Sequence, residues 1–121
     1  MVACDKIILK GIRFHGFHGV AEAERQLGQK FEADVELVCD LAAAGGTDDL
    51  ARTIDYAQVV DIIVKTGTEE SFRLIETLAE TSASRILNRF PVREVQIAVK
   101  KLAPPISEVL RYVAVEIRRG R

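Results

Sequence analysis

The segment from Val95 to Ile106 constrains the fold of this chain more than any other stretch. The apolar residues that recur at every second position in it are Val95, Ile97 and Val99. This period of two is typical of a strand with one buried face. Two consecutive prolines, Pro104 and Pro105, then remove the backbone donors that a strand needs. We therefore predict a strand that stops close to Lys101.

Strand alternation separates two adjacent lysines at this point. It places Lys101 on the same side as the apolar residues, whereas Lys100 faces water. A lysine near a low-dielectric region loses its proton more easily, and such a lysine can act as a general acid or base. The simpler interpretation, which this segment alone favours, is a strand-end lysine whose long stem curls back to solvent.

Length and composition limit the class of protein. With 121 residues, 48% hydrophobic and 29% charged, residues 1–121 are expected to form a single domain of ordinary soluble composition. The net charge of -1 gives no reason to expect nucleic acid or an anionic membrane as a partner. No apolar run is long enough to span a membrane and no signal peptide is recognisable, so the cytoplasm is expected. The two cysteines, Cys4 and Cys39, match neither a disulfide framework nor a zinc motif.

Periodicity along the chain predicts four strands and two helices. The predicted strands are Asp5–Phe14, Phe31–Asp40, the Val95 segment and Val109–Arg119, and the predicted helices run from Asp55 to about Lys65 and from about Phe72 to Arg89. The order ββααββ predicts an α+β fold, in which two helices cover one face of an antiparallel four-stranded sheet. Such a sheet has two open edges, and joining edges across subunits would close a barrel around its polar face.

The remaining segments carry shorter predictions. Residues 21–28 are predicted as a charged loop, residues 42–46 as a turn of small residues, and Gly67 as a break between the helices. The first strand is apolar on both faces, which is typical of a strand covered on both sides. His15 and His18 lack metal-ligand spacing, so we expect them to be structural or to contact substrate.

Two polar residues stand out on the predicted helices. Asp55 and Gln58 have the spacing of an N-cap pair, so Tyr56 lies in the first turn. Its hydroxyl could serve a ligand, or Tyr56 could be an ordinary half-buried tyrosine whose tip is hydrogen-bonded. Glu76 lies on the flank of an apolar stripe, where a carboxylate is costly without a partner. A ligand with paired N–H donors would satisfy it, and so would an arginine.

Several short motifs occur together and in a specific order. They are Phe17-His18-Gly19-Val20, Glu24-Arg25, Gly28-Gln29-Lys30-Phe31, Asp48-Asp49-Leu50, Asp55-Tyr56, the run from Leu74 to Glu80, and Lys101 ahead of Pro104-Pro105-Ile106. In this combination the chain resembles dihydroneopterin aldolase of the folate pathway over nearly its whole length. The resemblance implies the tunnelling fold, in which subunits join their sheets into a ring barrel. It implies four subunits to a ring and two rings stacked as a homo-octamer, with the pocket between adjacent subunits.

The resemblance also implies roles for individual residues. Glu76 matches the glutamate that anchors the pterin through its 2-amino group and ring N–H, and the Ile75 backbone joins it. Tyr56 matches a tyrosine contributed by the neighbouring subunit, and Glu24 matches a substrate-binding glutamate. Lys101 matches the catalytic lysine.

A metal-independent reaction is implied as well. The N5=C6 imine of 7,8-dihydroneopterin is already an electron sink, so the retro-aldol step needs no metal, no cofactor and no lysine Schiff base. We expect Lys101, with Tyr56 and ordered water, to handle the protons. The products are 6-hydroxymethyl-7,8-dihydropterin and glycolaldehyde, with epimerisation to dihydromonapterin as a side reaction. Many relatives have proline directly after this lysine, where the present chain has Leu102.

Three alternatives remain at this stage. An epimerase of dihydroneopterin triphosphate would need a basic patch, for which Arg13, His15 and Arg25 are available without forming an evident cluster. A non-catalytic pterin-binding module would keep Glu76 but would not need Lys101. A ferredoxin-like regulatory domain would show a different order of strands and helices.

Overall fold

The computed structural model describes residues 5–121. Four strands within this range form one antiparallel sheet in the order β1-β2-β3-β4. The strands are β1 (Lys6–Gly16), β2 (Gln29–Val38), β3 (Glu94–Lys101) and β4 (Val113–Gly120). The helices are α1 (Glu22–Leu27), α2 (Ala42–Thr47), α3 (Tyr56–Glu69) and α4 (Ile75–Arg89), with a 3-10 turn at Leu50–Arg52. Helix α3 packs against β1, and α4 packs against β3 and β4. The predicted α+β architecture is confirmed, and its order of elements excludes the ferredoxin-like alternative.

The core lies between the sheet and the two long helices. The sheet buries Phe31, Ala33, Val35, Leu37, Val95, Ile97 and Val99, and the helices bury Val59, Ile63, Leu78, Ala79, Ala83 and Ile86. Each large apolar side chain removed from water in this way contributes about 1.5–3 kcal/mol to folding. The alternation predicted for β2 and β3 is therefore confirmed. None of the helices within residues 5–121 is long and apolar enough to cross a membrane.

A bulge at Gly11 explains why β1 is apolar on both faces of its sequence pattern. The register with β2 shifts between Leu9 and Ile12, so the inward side passes from odd to even positions. Gly11 has a φ of 74°, which glycine adopts without steric cost. Its N–H donates to Asp34 Oδ1 at 2.8 Å. The pattern thus results from a bulge and not from coverage on both sides, which corrects the expectation from sequence.

Two predicted connections are short helices. Residues 22–27 form α1 where a loop was expected, and residues 42–47 form α2 where a turn was expected. Neither helix buries a side chain against the rest of the described chain, so neither carries the apolar stripe that predicts a helix. Helix α1 is stabilised instead by Glu24, whose carboxylate accepts the Ala21 N–H at 3.2 Å.

Gly67 does not break the chain, contrary to the prediction. It lies within α3, which begins at the predicted N-cap Asp55 and continues to Glu69. A Cβ at position 67 would overlap the ring of Phe14 on β1. Glycine is therefore required here because helix and strand approach closely, and not because the helix ends. Helix α4 begins at Ile75 rather than at Phe72.

Candidate active site

Lys101 and Glu24 form an ion pair at the end of β3. Lys101 Nζ lies 2.8 Å from Glu24 Oε2, and the two side chains are 14% and 10% exposed. Lys101 is the last residue of β3 and pairs in register with the buried Phe31. The inward side predicted for Lys101 is therefore confirmed, and Glu24 reaches it from α1.

Lys100 lies on the opposite face of the sheet. Its ammonium contacts Asp34 at 2.9 Å and Glu32 at 3.2 Å, and lies 4.9 Å from the ring centroid of Tyr112. Hydrogen bonds to Asp34 and Glu32 raise the pKa of Lys100, so this lysine stays charged. The two adjacent lysines thus serve different networks, as the strand alternation predicts.

Three donors hold the carboxylate of Glu24. Besides Lys101, the Gln29 amide donates to Oε2 at 2.9 Å and the Ala21 N–H donates to Oε1. Burial on its own raises the pKa of Glu24, but the hydrogen bonds from Lys101, Gln29 and Ala21 outweigh it and leave the pKa below its usual value. Glu24 is therefore an ionised, oriented acceptor.

Gln29 is a site residue to which no role was assigned from sequence. Its Oε1 is buried and has no hydrogen-bond partner among the described residues, while its amide nitrogen donates to Glu24. The signal was available, because the inward alternation of β2 at Phe31 extends back to position 29. A polar amide on that side needs a partner, which marks it as a candidate site residue.

His18 is fully buried and bonded through both ring nitrogens. The backbone N–H of Phe72 donates to Nδ1 at 3.0 Å, so Nε2 carries the proton and donates to the Gly67 carbonyl at 2.7 Å. Burial lowers the pKa of His18 and the charge of Lys101 lowers it further, while the Gly67 carbonyl and Glu70 act in the opposite direction. From sequence, His18 is expected either to be structural or to contact substrate. Its contacts to Phe72 and Gly67 are structural.

This pKa shift predicts loss of stability in mild acid. The folded pKa lies below the usual 6.5, so the unfolded chain binds more protons just below pH 6.5. The stabilising contribution of neutral His18 is complete above about pH 6.5. By about pH 5.5 the free energy of unfolding is expected to fall by up to about 1.4 kcal/mol. Urea unfolding at fixed protein concentration measures it. His15→Gln should keep this pH dependence and His18→Gln should lose it; equal pH dependence in both variants would contradict the assignment.

Glu76 and Ile75 lie at the start of α4. Glu76 is exposed in the first helical turn, and Ile75 is buried. Phe72, which contacts His18, precedes Glu76 by four residues, a chain length of at most about 14 Å. The fold therefore brings this end of α4 to the same end of the sheet as Lys101.

Tyr56 lies elsewhere in the same chain. It is the first residue of α3 and is 61% exposed. Gly67, which contacts His18, follows eleven residues later in the helix, a distance of about 16 Å along the axis. Ile54, two residues before Tyr56, lines a cavity with Cys39 and Pro91 at the far end of the sheet. One copy of the chain does not bring Tyr56 to Lys101.

The sheet, its two long helices and the polar pair at its end define a tunnelling-fold protein. At the level of the fold alone, the chain is similar to a urate oxidase from Bacillus sp. TB-90, with a TM-score of 0.69 and 17% identity; the match covers 96% of this chain and 47% of that one. A closer relationship appears in the sequence profile of the FolB dihydroneopterin aldolases, which matches residues 7–118. The chain belongs to the dihydroneopterin aldolase family.

Individual relatives agree with this assignment. The chain is 41% identical to the dihydroneopterin aldolase of Bacillus subtilis over 118 residues, which is 97% of this chain and 98% of that protein. It is similar to E. coli dihydroneopterin aldolase, solved in complex with neopterin, with a TM-score of 0.89 and 29% identity over 96% and 99% of the two chains. The FolB protein of Vibrio cholerae gives a TM-score of 0.92 at 34% identity over 99% and 100%. The dihydroneopterin aldolase function expected from the motifs is confirmed, and the chain is an enzyme of the lyase class.

Proposed function

We propose that this chain cleaves 7,8-dihydroneopterin at a site built from Lys101, Glu24 and Glu76, completed by Tyr56 of a neighbouring copy. The observation that carries the proposal is the Lys101–Glu24 pair, because it holds an ammonium group in a fixed position on the apolar side of the sheet. An ion pair that only stabilised the fold would gain little from being almost excluded from water, because removing its two charges from water costs free energy. Gln29 supports the proposal, because its side-chain amide donates a second hydrogen bond to the Glu24 carboxylate.

The proposed reaction moves one proton from oxygen to carbon. Removal of the 2′-hydroxyl proton forms the C2′ carbonyl as the C1′–C2′ bond breaks, and the N5=C6 imine accepts the electron pair. Protonation of C1′ restores the imine and gives 6-hydroxymethyl-7,8-dihydropterin, with glycolaldehyde leaving. The Lys101 ammonium supplies the proton to C1′, and the proton that leaves the 2′-hydroxyl restores its charge through Tyr56 and ordered water. Readdition of the aldehyde through its other face gives dihydromonapterin.

Glu76 is the proposed anchor of the pterin ring. Its carboxylate is exposed in the first turn of α4, where the helix dipole stabilises a negative charge. A carboxylate accepts two parallel hydrogen bonds, which matches the 2-amino group and the adjacent ring N–H of a pterin. The free backbone N–H groups at the start of the helix, including that of Ile75, are available to the same ligand.

The place of Tyr56 supports a site shared between subunits. The outer edges of β1 and β4 have no strand partner within residues 5–121, and exposed apolar residues lie on them: Ile8 is 54% exposed and Val113 is 39% exposed. Pairing β1 of one copy with β4 of the next would satisfy both edges and place α3 of one copy near β3 of another. A ring of four and a stacked octamer remain predictions, as do the single-domain boundary 1–121 and the cytoplasmic location.

The triphosphate epimerase is disfavoured by the contacts of its candidate basic residues. Arg13 pairs with Glu32 at 2.8 Å, and His15 contacts the Leu27 carbonyl at 3.1 Å. Arg25 donates to two carbonyl groups of the neighbouring loop. These side chains are thus engaged separately and do not form a triphosphate patch.

One incubation tests the proposal. Purified protein and 7,8-dihydroneopterin are kept under argon and the products are separated by chromatography, with EDTA in one arm and borohydride in another. We expect 6-hydroxymethyl-7,8-dihydropterin at equal rates with and without EDTA, and no reduced covalent adduct by mass spectrometry. Dihydromonapterin alone would identify an epimerase, and binding without product would identify a binding module. Loss of activity with EDTA, or an adduct, would contradict the metal-free or the Schiff-base-free step.

A further inference from the structure

We propose that His18 is a positioning residue, which fixes the distance between the Lys101–Glu24 pair and the Glu76 end of α4. The inference rests on the proposed function, because it assumes that these two groups act on one substrate. It concerns the loop of residues 17–21, which separates β1 from α1 and contains no residue with a proposed chemical role.

The imidazole ring of His18 is held on every side. Its two nitrogens bond to Phe72 and Gly67, as described above. Its ring stacks on Phe72, with centroids 5.5 Å apart and planes 13° apart, and meets Phe31 edge to face at 5.2 Å. No rotation of the ring preserves both hydrogen bonds, so His18 can transmit a position from one element to another.

On one side, His18 fixes the backbone against Glu24. The next residue, Gly19, lies so close to the Glu24 carboxylate that a Cβ at this position would overlap it. Arg25 donates to the Gly19 and Val20 carbonyls, which holds the loop on α1. Displacement of the loop would therefore displace the carboxylate that orients Lys101.

On the other side, His18 fixes the segment that leads into α4. Phe72 donates its N–H to His18 and accepts the Gly19 N–H at 2.9 Å through its carbonyl. Ser71 donates its hydroxyl to the Phe17 carbonyl. Residues 71–72 are thus bonded to residues 17–19 at three points, and Glu76 follows four residues after Phe72, in the first turn of α4.

The two hydrogen bonds of His18 have separable consequences. The bond to Gly67 satisfies a carbonyl in the last turn of α3, which is a contribution to stability. The bond to Phe72 connects the two halves of the proposed site. His18→Asn places an acceptor where Nδ1 stands and keeps the Phe72 bond, whereas His18→Gln places a donor where Nε2 stands and keeps the Gly67 bond.

The experiment compares these two variants with wild type in kcat and KM for 7,8-dihydroneopterin and in melting temperature. Both variants lose the aromatic ring and one hydrogen bond, so we expect similar drops in melting temperature. We expect kcat/KM of His18→Gln to lie roughly a hundredfold below that of His18→Asn, the loss that about 1 Å of misplacement causes. Val92→Ala, a buried substitution after α4, is the control that lowers the melting temperature and leaves kcat/KM unchanged.

Equal kcat/KM in the Asn and Gln variants, or a lower value for Asn, would overturn the inference and leave His18 a purely structural residue. A wild-type protein that forms no 6-hydroxymethyl-7,8-dihydropterin would instead overturn the proposed function. If a His18 variant does not fold, Phe72→Leu and Phe72→Pro provide the same comparison. Both lose the stacked ring and only proline loses the N–H, so the proline variant alone should lose turnover.

Discussion

Replacing Lys101 by alanine is expected to reduce the cleavage of 7,8-dihydroneopterin by about 10²–10⁴-fold, the usual contribution of a general acid–base group. The ammonium group of Lys101 is the one that Glu24 orients on the inward side of the sheet. Product formation followed by chromatography under argon measures the loss. The same purified variant should still bind neopterin, because the proposed anchor Glu76 is unchanged.

Lys100→Ala is the matched control for this experiment. It removes the same charge one residue earlier, and it breaks contacts to two carboxylates, Asp34 and Glu32, on the other face of the sheet. If general electrostatics or folding governed the activity, Lys100→Ala would be at least as harmful as Lys101→Ala. We expect it to retain cleavage. Comparable losses in the two variants would remove the basis for a specific role of Lys101.

The contrast between these lysines shows what strand periodicity can predict. In β3 every second side chain is buried, and the side of Lys101 follows from counting. The same rule failed in β1, because the bulge at Gly11 adds a residue to one strand and reverses the sides. A glycine within an apolar run is a weak signal of a bulge, so the reversal was not deduced.

The pairing of Lys101 with Glu24 could not be deduced from the residues. The two positions are 77 residues apart and meet because the short helix α1 folds back on the end of β3. That helix has no apolar stripe and was expected to be a loop. The prediction of a chain break at Gly67 is wrong for a related reason. Glycine is required there because Phe14, on another element, leaves no space for a side chain. The roles of these residues depend on contacts between different elements, and local sequence propensity does not reveal such contacts.

Leu102, the residue after Lys101, takes part in the pairing of the sheet. Its backbone N–H donates to the Lys30 carbonyl at 3.3 Å, which extends the pairing of β3 with β2 by one bond. A proline at this position could not make that bond. The register that places Lys101 opposite Phe31 is therefore intact in this chain.

Mixing two inactive variants is expected to restore activity if the site is shared. Each proposed site takes Lys101 from one copy and Tyr56 from a neighbour, since about 16 Å of helix separates Tyr56 from the turn that contacts His18. In an assembly formed at random from equal amounts of Lys101→Ala and Tyr56→Ala, about a quarter of the sites carry both native residues by symmetry. Co-expression with two affinity tags yields the mixed assembly, and its rate should approach about a quarter of the wild-type rate.

A second mixture distinguishes shared sites from other causes of recovery. Lys101 and Glu24 are bonded at 2.8 Å within one chain, so no arrangement of Lys101→Ala and Glu24→Ala subunits contains an intact pair. This mixture should remain as inactive as its parents, although its subunits exchange in the same way. Recovery in both mixtures would indicate stabilisation by assembly, and recovery in neither would mean that Tyr56 and Lys101 do not act together across two copies. Recovery only in the Tyr56 mixture requires that Tyr56 and Lys101 act together across the boundary between two copies.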